Sequence, residues 1–492
     1  MSMKNTFQTS NSQSLEFLPK IGLLTMFRLG LFQMGLGIMS LLTLGVINRV
    51  MIDELKVIPW VAAVAIAMYQ FVSPAKVWFG QMSDSRPIRG YHRTIYIWFG
   101  AIFFTSLSYV ALQVAWELGQ SIQDNGWGWT SDIWAILLGL VFAFYGLALS
   151  MSSTPFAALL VDVSDDDNRS QLIGIVWSML MVGIVIGAII SSQLLNTPEV
   201  CGPALMAYDP TQSSKVVNID ILRSTVNPVF IIMPIIVFGL CLIGTWGVES
   251  SYSRFSVRSN HSKREDQITL KESLKVLTSS RQTFVFFSFI LILTLSLFMQ
   301  DTVMEPYGGE VFGMCISETT KLNAFFGIGT LLGIGSTGFL MLPKLGKKQT
   351  TKIGCIFSIV CFTLIIAAGI IRDENLLKFG LLVLGLASGI ITAGATSLML
   401  DLTVAETAGT FIGAWGLSQA MARGFSTVLG GVVLHIGKSI FSVPVFSYSL
   451  VFLMQGIGML FAINILKHVS IKEFKNDAKS AISVVMEGEI EG

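Results

Sequence analysis

The stretch that decides the fold is FVFFSFILILTLSLFMQDTVMEPYGGEVFG, Phe284–Gly313. Its first half is almost wholly apolar, and a bilayer core of about 30 Å is crossed by a helix of roughly 20 apolar residues. Its second half places Asp301 and Glu305 where this helix leaves the membrane. Ionisable side chains are costly at that boundary, so this pair indicates a functional site.

The same segment also has a purely structural interpretation. Pro306 is expected to stop the helix, Tyr307 suits the membrane interface, and Gly308 and Gly309 permit a positive φ. The segment alone favours neither interpretation, so the choice depends on the rest of the chain.

The composition is that of an integral membrane protein. Of the 492 residues, 52% are hydrophobic and 13% are charged, whereas soluble domains carry about 25% charged residues. The mean hydropathy is +0.69. The net charge of +1 provides no basic surface for nucleic acid, so we expect the membrane as a partner and no nucleic acid.

The cysteines predict neither a metal site nor a disulfide framework. There are five, no two have the CxxC spacing, and three lie in apolar runs. Cys201 and Cys315 fall in predicted outer loops where pairing is chemically possible, but we do not predict that they pair. Residues 1–20 are polar and lack the basic and then apolar layout of a cleavable signal.

Apolar runs follow one another along the whole chain. Inside a bilayer the backbone must satisfy its own hydrogen bonds, so each run predicts a transmembrane helix. The twelve runs cover residues 22–51, 57–79, 94–115, 132–161, 171–194, 227–248, 283–303, 321–343, 353–371, 378–400, 410–434 and 446–466. The expected fold is all-α, with twelve transmembrane helices in two pseudo-symmetric lobes of six.

The distribution of Lys and Arg orients these helices. These residues are more numerous on the side of the chain termini, so the positive-inside rule predicts that both termini are cytoplasmic. The longest cytoplasmic loop separates the lobes. The predicted division is an N-terminal tail at 1–20, a first lobe at 21–248, a central loop at 249–282, a second lobe at 283–466 and a C-terminal tail at 467–492.

An internal repeat relates the two halves. The fourth run and the tenth run are each followed directly by an acid. After this acid come a second acid five residues later, a Gly twelve residues later and then a Trp. The two sets are Asp162, Asp167, Gly174 and Trp177, and Asp401, Glu406, Gly413 and Trp415. A parallel repeat of this kind builds two-lobed transporters.

The loop between the second and third runs reads GQMSDSRPIRGYHR, Gly80–Arg93. It resembles the loop motif of the major facilitator superfamily, in which an acid follows a Gly by four residues and several bases come next. The residues that match the motif are Gly80, Asp84, Arg86 and Arg93. We expect them to have a structural role, with the acid pairing to an Arg and the bases holding the loop in the cytoplasm. The corresponding segment 338–352 keeps the bases but has Leu342 in place of the acid.

The helix interiors contain few charged residues. Arg28 and Arg423 are the exceptions, whereas transporters of polar solutes carry buried acids along their path. Such an interior suits a flat, apolar ligand. The candidate lining residues are Phe32, Gln33, Trp78, Trp177, Gln193, Trp415 and Gln419. Each of them also fits ordinary helix packing.

Three blocks carry a closer resemblance. They are RLGLFQMGLGIMSLLTLGVINRVMIDEL at Arg28–Leu55, YHRTIYIWFG at Tyr91–Gly100 and MQDTVMEPYGGEVFGM at Met299–Met314. Together they resemble the PucC, or bacteriochlorophyll-delivery, family of the major facilitator superfamily, over roughly residues 20–470. The resemblance implies a membrane assembly factor that transiently binds chlorophyll or bacteriochlorophyll and delivers it to nascent light-harvesting or photosystem subunits.

The resemblance also implies partners and a location. The partners are chlorophyll-binding antenna or photosystem subunits, and chlorophyll-biosynthesis enzymes are a further class that it allows. The low alanine content and the long outer loop at 195–227 favour a cyanobacterium-like member. We therefore expect a thylakoid membrane or, failing that, a photosynthetic cytoplasmic membrane.

The pigment is expected as a transient ligand and not as a permanent cofactor. Its magnesium accepts an axial N or O ligand, but the four histidines all fall in loops or at helix ends. Weaker ligands or stacking side chains suit transient binding. The pigment-binding candidates are Gln33, Gln193, Gln419, Trp177 and Trp415.

A second function stays open, that of an ion-coupled carrier of a small amphiphilic molecule. Its coupling residues would be Asp301, Glu305 and Arg423. An enzyme is not predicted, because the chain has no nucleotide-binding loop, no DxxxD-type isoprenoid site and no catalytic dyad.

Pseudo-symmetry further predicts a contact between the lobes. The first helix ends in Asn48, Arg49 and Asp53, and its symmetry mate, the seventh helix, carries Asp301 and Glu305 at the corresponding end. We expect an Arg49–Glu305 or Arg49–Asp301 ion pair to latch the lobes on the outer face.

Overall fold

The structure, a computed structural model, describes residues 21–164, 166–198, 201, 206–208, 215–253, 281–401, 408–470 and 472–473. Within these ranges the chain is almost entirely helical. The long helices are α1 (Leu23–Glu54), α2 (Pro59–Ser85), α3 (Thr94–Asn125), α4 (Trp129–Val163), α5 (Asp166–Leu195), α6 (Ile219–Tyr252), α7 (Arg281–Phe312), α8 (Ile316–Ser336), α9 (Lys347–Ile371), α10 (Glu374–Asp401), α11 (Ala408–Ile440) and α12 (Pro444–His468). The strands β1 (Met206–Tyr208) and β2 (Lys215–Val217) lie between α5 and α6 in sequence and pair in an antiparallel two-stranded sheet.

Eleven of the described helices are long and apolar enough to cross a membrane. The remaining long helix is α8, whose hydropathy is lowered by Glu318 and Lys321 in its first two turns. It continues through a π-helical turn, Thr337–Met341, and a short helix, Leu342–Leu345. With α8 included, the described helices match the twelve predicted spans.

Helix packing follows the predicted pseudo-symmetry. The packed pairs α1–α5, α1–α6, α2–α4, α3–α4 and α3–α6 recur six helices later as α7–α11, α7–α12, α8–α10, α9–α10 and α9–α12. The lobes meet along α2–α11 and α5–α8. These two pairs are equivalent, because α2 corresponds to α8 and α5 corresponds to α11 in the other lobe. The prediction of two pseudo-symmetric lobes of six helices is confirmed.

An even number of spans brings the start of α1 and the end of α12 to one side of the molecule, which we name the terminus face. The opposite side, where α1 and α7 end, is named the distal face. That the terminus face is cytoplasmic remains a prediction from the Lys and Arg distribution.

Helices α1 and α7, which contact each other near the distal face, depart from regular α-helix. In α1, π-helical turns at Leu41–Ile47 and Val50–Glu54 follow the α-helical part. In α7, a break at Met299 separates Arg281–Phe298 from Gln300–Phe312. π-helical turns widen a helix locally and occur frequently at functional sites. The π-helical turns of α1 lie in one block that resembles the PucC family, and the break of α7 at Met299 lies in another.

The prediction that Pro306 stops the seventh helix is wrong. Pro306 lies inside the helical segment Gln300–Phe312, and the positive φ of this region, +74°, belongs to Gly313 and not to Gly308 or Gly309. An interior proline is tolerated where the carbonyl that it leaves unpaired finds another partner. The functional-site interpretation of the segment therefore gains weight.

Candidate functional site

The proline of α7 creates a hydrogen-bond acceptor that α1 uses. Because Pro306 has no N–H, the carbonyl of Thr302, four residues earlier, receives no helical hydrogen bond from it. The side-chain Nδ2 of Asn48 donates to this carbonyl over 2.6 Å. Asn48 is only 1% exposed. This hydrogen bond joins the first lobe to the second inside the protein.

Arg49, the next residue of α1, makes a second contact between the lobes. Its Nη2 donates to the carbonyl of Met314, between α7 and α8, over 3.2 Å. Its guanidinium forms ion pairs with Asp53 and, at 3.2 Å, with Glu54. A Cβ at Gly309 of α7 would overlap this group, so the glycine allows α7 to approach the guanidinium closely.

Among the described residues, the predicted direct ion pair of Arg49 with Asp301 or Glu305 does not form, although the charges of Arg49 and Glu305 are close enough to interact. Among the described residues, Arg49 forms ion pairs with carboxylates of its own helix. Asp53 lies one helical turn after it, which makes it a near partner that requires no movement of the lobes. The prediction that the two helix ends meet is nevertheless supported by the contact of Arg49 with Met314.

Glu305 lies where α1, α7 and α8 meet. It is buried, and its Oε1 accepts a hydrogen bond from Nδ2 of Asn323 in α8. A Cβ at Gly45, in the π-helical part of α1, would overlap this oxygen. Among the described residues, its Oε2 has no hydrogen-bond partner. Asn323 was not found by sequence reasoning, because its distance from Glu305 along the chain gives no signal.

A disulfide joins the two lobes on the distal face. It links Cys201, which follows α5, to Cys315, which precedes α8, and the two Cα atoms are 5.2 Å apart. The expectation of no disulfide is wrong here, because the pairing depends on how the lobes dock and not on cysteine spacing. We name the contacts Asn48–Thr302, Arg49–Met314 and Cys201–Cys315 the distal latch.

A second distal contact fixes the end of α7 within its own lobe. Glu310 accepts hydrogen bonds from Nζ of Lys438 in α11, at 2.7 Å, and from the hydroxyl of Tyr448 in α12, at 3.0 Å. Sequence reasoning missed this set. The signal was present, since Glu310 belongs to the same block as Asp301 and Glu305.

A separate group of charges lies around Asp301 of α7. Asp301 and Arg423 are close enough for their charges to interact, and both interact with Tyr69 of α2. The Arg423 guanidinium lies over the ring of Phe298, 4.0 Å from its centre. The structure thus brings together Asp301 and Arg423, two of the three predicted coupling residues, within the second lobe. Tyr69 interacts with both from the first lobe and was missed by sequence reasoning.

The pigment-binding candidates do not share one site. Gln33 is buried in α1, whereas Trp177 and Gln193 are exposed. These last two are 16 residues apart on α5, which is about 24 Å along the axis at about 1.5 Å per residue. Gln419 is half-buried in α11, and the side chain of Trp415 lies outside the described residues.

The loop motif forms an ion-pair network on the terminus face. Arg93, which is buried, pairs with Asp84 at 2.5 Å and with Asp162 at 2.9 Å. Gly80 packs near Thr154 of α4. The side chain of Arg86 is exposed. The motif therefore contributes to packing within the first lobe, as predicted.

Glu249 completes this network and was missed. The predicted division places it at the start of the central loop, but it lies in α6 and is buried. Its carboxylate accepts hydrogen bonds from the backbone N–H groups of His92, Arg93 and Thr94 and from the Thr94 hydroxyl, over 2.6 to 3.0 Å. An acid of α6 thereby caps the start of α3.

Comparison with known sequences identifies relatives along most of the chain. A family model described as PUCC protein matches residues 46–474. The chain is 28% identical to Protein PucC of Rhodobacter capsulatus over 421 residues, which are 84% of each chain. It is 26% identical to another protein of that species, named Bacteriochlorophyll synthase 44.5 kDa chain, over 83% of this chain and 87% of that one.

Solved structures of transporters share the fold. A bacterial homologue of the iron transporter ferroportin, inward-facing, covers 92% of this chain and 100% of its own, with a TM-score of 0.61 and 12% identity. A bacterial homologue of the lysosomal transporter Spinster, inward-facing and unoccupied, covers 92% of this chain and 97% of its own, with a TM-score of 0.63 and 12% identity. At such identities the likeness shows the fold alone, which is that of the major facilitator transporters.

Proposed function

Because the chain belongs to the PUCC protein family, we propose that it is a membrane assembly factor that transiently binds chlorophyll or bacteriochlorophyll and delivers it to nascent light-harvesting or photosystem subunits. Its family and fold are those of transporters or assembly factors. We place it in a thylakoid or photosynthetic cytoplasmic membrane with both termini cytoplasmic. Antenna or photosystem subunits are its proposed partners, and chlorophyll-biosynthesis enzymes are a further class.

The observation that carries the proposal is the distal latch. A carrier of this fold opens to the two sides of the membrane in turn, by rocking one lobe against the other. Two buried hydrogen bonds and a disulfide join the lobes on the distal face. With the disulfide in place, the distal face stays shut. Cargo then enters and leaves from the terminus face or from the bilayer, as delivery to a membrane subunit requires.

The chemistry of the pigment fits a charge-poor interior. Magnesium takes one axial oxygen or nitrogen ligand, and a glutamine oxygen such as that of Gln33 or Gln419 would hold it weakly enough for release. Of these two, Gln33 is buried in α1 and Gln419 is half-buried in α11. Either residue alone suffices for one ligand bond, so the proposal does not need the whole candidate set.

The test is the pigment content of the tagged protein, purified gently from its own membrane. We expect a chlorophyll-type absorption spectrum, about one extracted pigment per chain, and co-purifying antenna or photosystem subunits. Gln33→Leu or Gln419→Leu should lower the pigment content, whereas Gln171→Leu, an exposed position near the start of α5, should not. A colourless protein without partners would overturn the proposal.

The carrier remains a second candidate because of the interacting charges around Asp301. Asp301, Arg423 and Tyr69 interact across the lobe interface, and intramembrane ionisable groups mark ion pathways. Vesicles containing the protein can be given chlorophyllide, an amphiphile with the pigment ring and a free carboxylate. Uptake that requires a proton gradient and is lost in Asp301→Asn would establish the carrier, and its absence would favour delivery.

A further inference from the structure

A cavity of about 710 Å³ opens on the terminus face of the second lobe. It lies between the end of the α8 segment, the start of α9 and the end of α12. Its lining consists of Leu342, Leu345, Gly346, Lys347, Lys348, Gln349, Lys352, Ile463, Leu466 and Lys467. Four of these residues are lysines and none of these lining residues is acidic, so the lining carries basic and no acidic side chains.

The lining divides into a basic and an apolar part. The lysines belong to the first turns of α9 and the last turn of α12, whereas Leu342, Ile463 and Leu466 provide an apolar wall. Helix ends of a membrane protein lie at the level of the lipid headgroups. A ligand that fits this lining has a negative head and an apolar body.

One lysine is already held in position. Nζ of Lys348 donates to the carbonyls of Lys467, at 2.9 Å, and of Val469, at 2.8 Å. An ammonium group has three N–H donors, so one donor remains for a ligand. The two carbonyls belong to the end of α12 and hold the ammonium group at the cavity. No ion pair of Lys348 with an acid is found among the described residues.

The first lobe shows what occupies the equivalent place. There the start of α3 is capped by the carboxylate of Glu249, and Asp84 pairs with Arg93. Under the six-helix shift, α2, α3 and α6 correspond to α8, α9 and α12. The residue that corresponds to Asp84 by its spacing after glycine is Leu342, which lines the cavity. At the start of α9, Gly346 provides no side-chain cap.

We propose that this cavity binds the phosphate-type headgroup of an anionic lipid from the leaflet at the terminus face. The lipid anion takes the place that an internal carboxylate fills in the first lobe, and its acyl chains lie along the apolar wall. Lysines near a membrane surface attract such lipids. Free phosphate has the same anionic chemistry but makes no use of the apolar wall, so the test separates the two sources.

The test is native mass spectrometry of the full chain with lipids of identical acyl chains. The probes are phosphatidylglycerol, phosphatidylcholine and inorganic phosphate. The variant K352Q/K467Q removes two lining charges, and K344Q/K472Q removes two charges from the same face outside the cavity. We expect phosphatidylglycerol to bind K352Q/K467Q about tenfold or more weakly than it binds the unmodified chain, and K344Q/K472Q within about twofold.

Three results would overturn the proposal. Equal losses of phosphatidylglycerol binding in the two double variants would show that the binding depends on general surface charge and not on the cavity. Equal binding of phosphatidylcholine would remove the anion from the recognition. Displacement of phosphatidylglycerol by an equal concentration of inorganic phosphate would assign the cavity to a soluble anion. Rescue by K352R/K467R, together with an unchanged melting temperature, would confirm that the lost binding comes from charge and not from unfolding.

Discussion

The distal and terminus faces of this protein are held together differently. On the distal face, α1 donates side-chain hydrogen bonds to α7 and to the α7–α8 loop, and a disulfide joins the lobes. On the terminus face, the described ion pairs of the loop motif stay inside the first lobe, and Lys348 bonds inside the second. Among the described contacts named here, those on the distal face join the lobes, whereas those on the terminus face brace each lobe separately.

This difference constrains how the molecule moves. Contacts within a lobe keep it rigid but do not oppose its rotation against the other lobe, whereas contacts between lobes do. Movement is thus expected at the terminus face, with the distal latch as the fixed end. The contacts of the two faces can be weakened one at a time.

The largest effect is expected from the disulfide. A protease site inserted between residues 254 and 280 allows the purified chain to be cut between the lobes. After cutting, the halves should migrate on a denaturing gel as one species without reductant and as two species with reductant. Cys201→Ser should separate them without reductant, and Cys241→Ser, which changes a buried free cysteine, should not. Separation of the unmodified halves without reductant would remove the covalent part of the latch.

The next effect concerns the hydrogen bond from Asn48 to Thr302. Asn48→Ala leaves a buried carbonyl without a partner, which should cost about 1–3 kcal/mol of unfolding free energy. In the Pro306→Ala background, residue 306 regains an N–H that can pair with Thr302. Asn48→Ala should then cost less than about half as much. The measurement is unfolding of the four proteins of this cycle in one detergent.

If the costs in unfolding free energy of the two single substitutions simply add in the double variant, Pro306 and Asn48 act independently. That result would contradict the proposal that Asn48 compensates for the hydrogen bond that Pro306 removes. Asn464→Ala is the control, because this asparagine of α12 is exposed. We expect it to change the unfolding free energy by no more than about 0.5 kcal/mol, as is usual for surface positions.

Much of the fold follows from the sequence, because hydropathy and helix length depend on local composition. The twelve spans, the repeat and the meeting of Arg49 with the α7 end are examples. What stayed hidden depends on docking: the Cys201–Cys315 bond and the cap that Glu249 provides join elements far apart in sequence. Pro306 was misjudged for a related reason, because its compensating donor, Asn48, lies in the other lobe.

A smaller effect is expected where α1 touches Glu305. In Gly45→Ala the added Cβ overlaps the carboxylate oxygen, and the overpacking should cost about 1 kcal/mol. Gly239→Ala in α6, where a Cβ meets nothing within 4 Å, should stabilise the helix by up to about 1 kcal/mol. The difference in unfolding free energy between the two variants measures the contact. Equal effects would mean that α1 does not press on Glu305.

The smallest effect is expected on the terminus face, at the acid of the loop motif. Asp84 is the more exposed member of its ion pair, at 57% of its side chain, so Asp84→Asn should cost no more than about 1 kcal/mol. Arg93 keeps its bond to Asp162 in this variant. Glu249→Gln should cost more, because a charged cap accepts hydrogen bonds worth about 1.5–3 kcal/mol each. If unfolding measurements instead rank Asp84→Asn as the more damaging change, the exposed motif acid, and not the buried cap, braces the first lobe at this face.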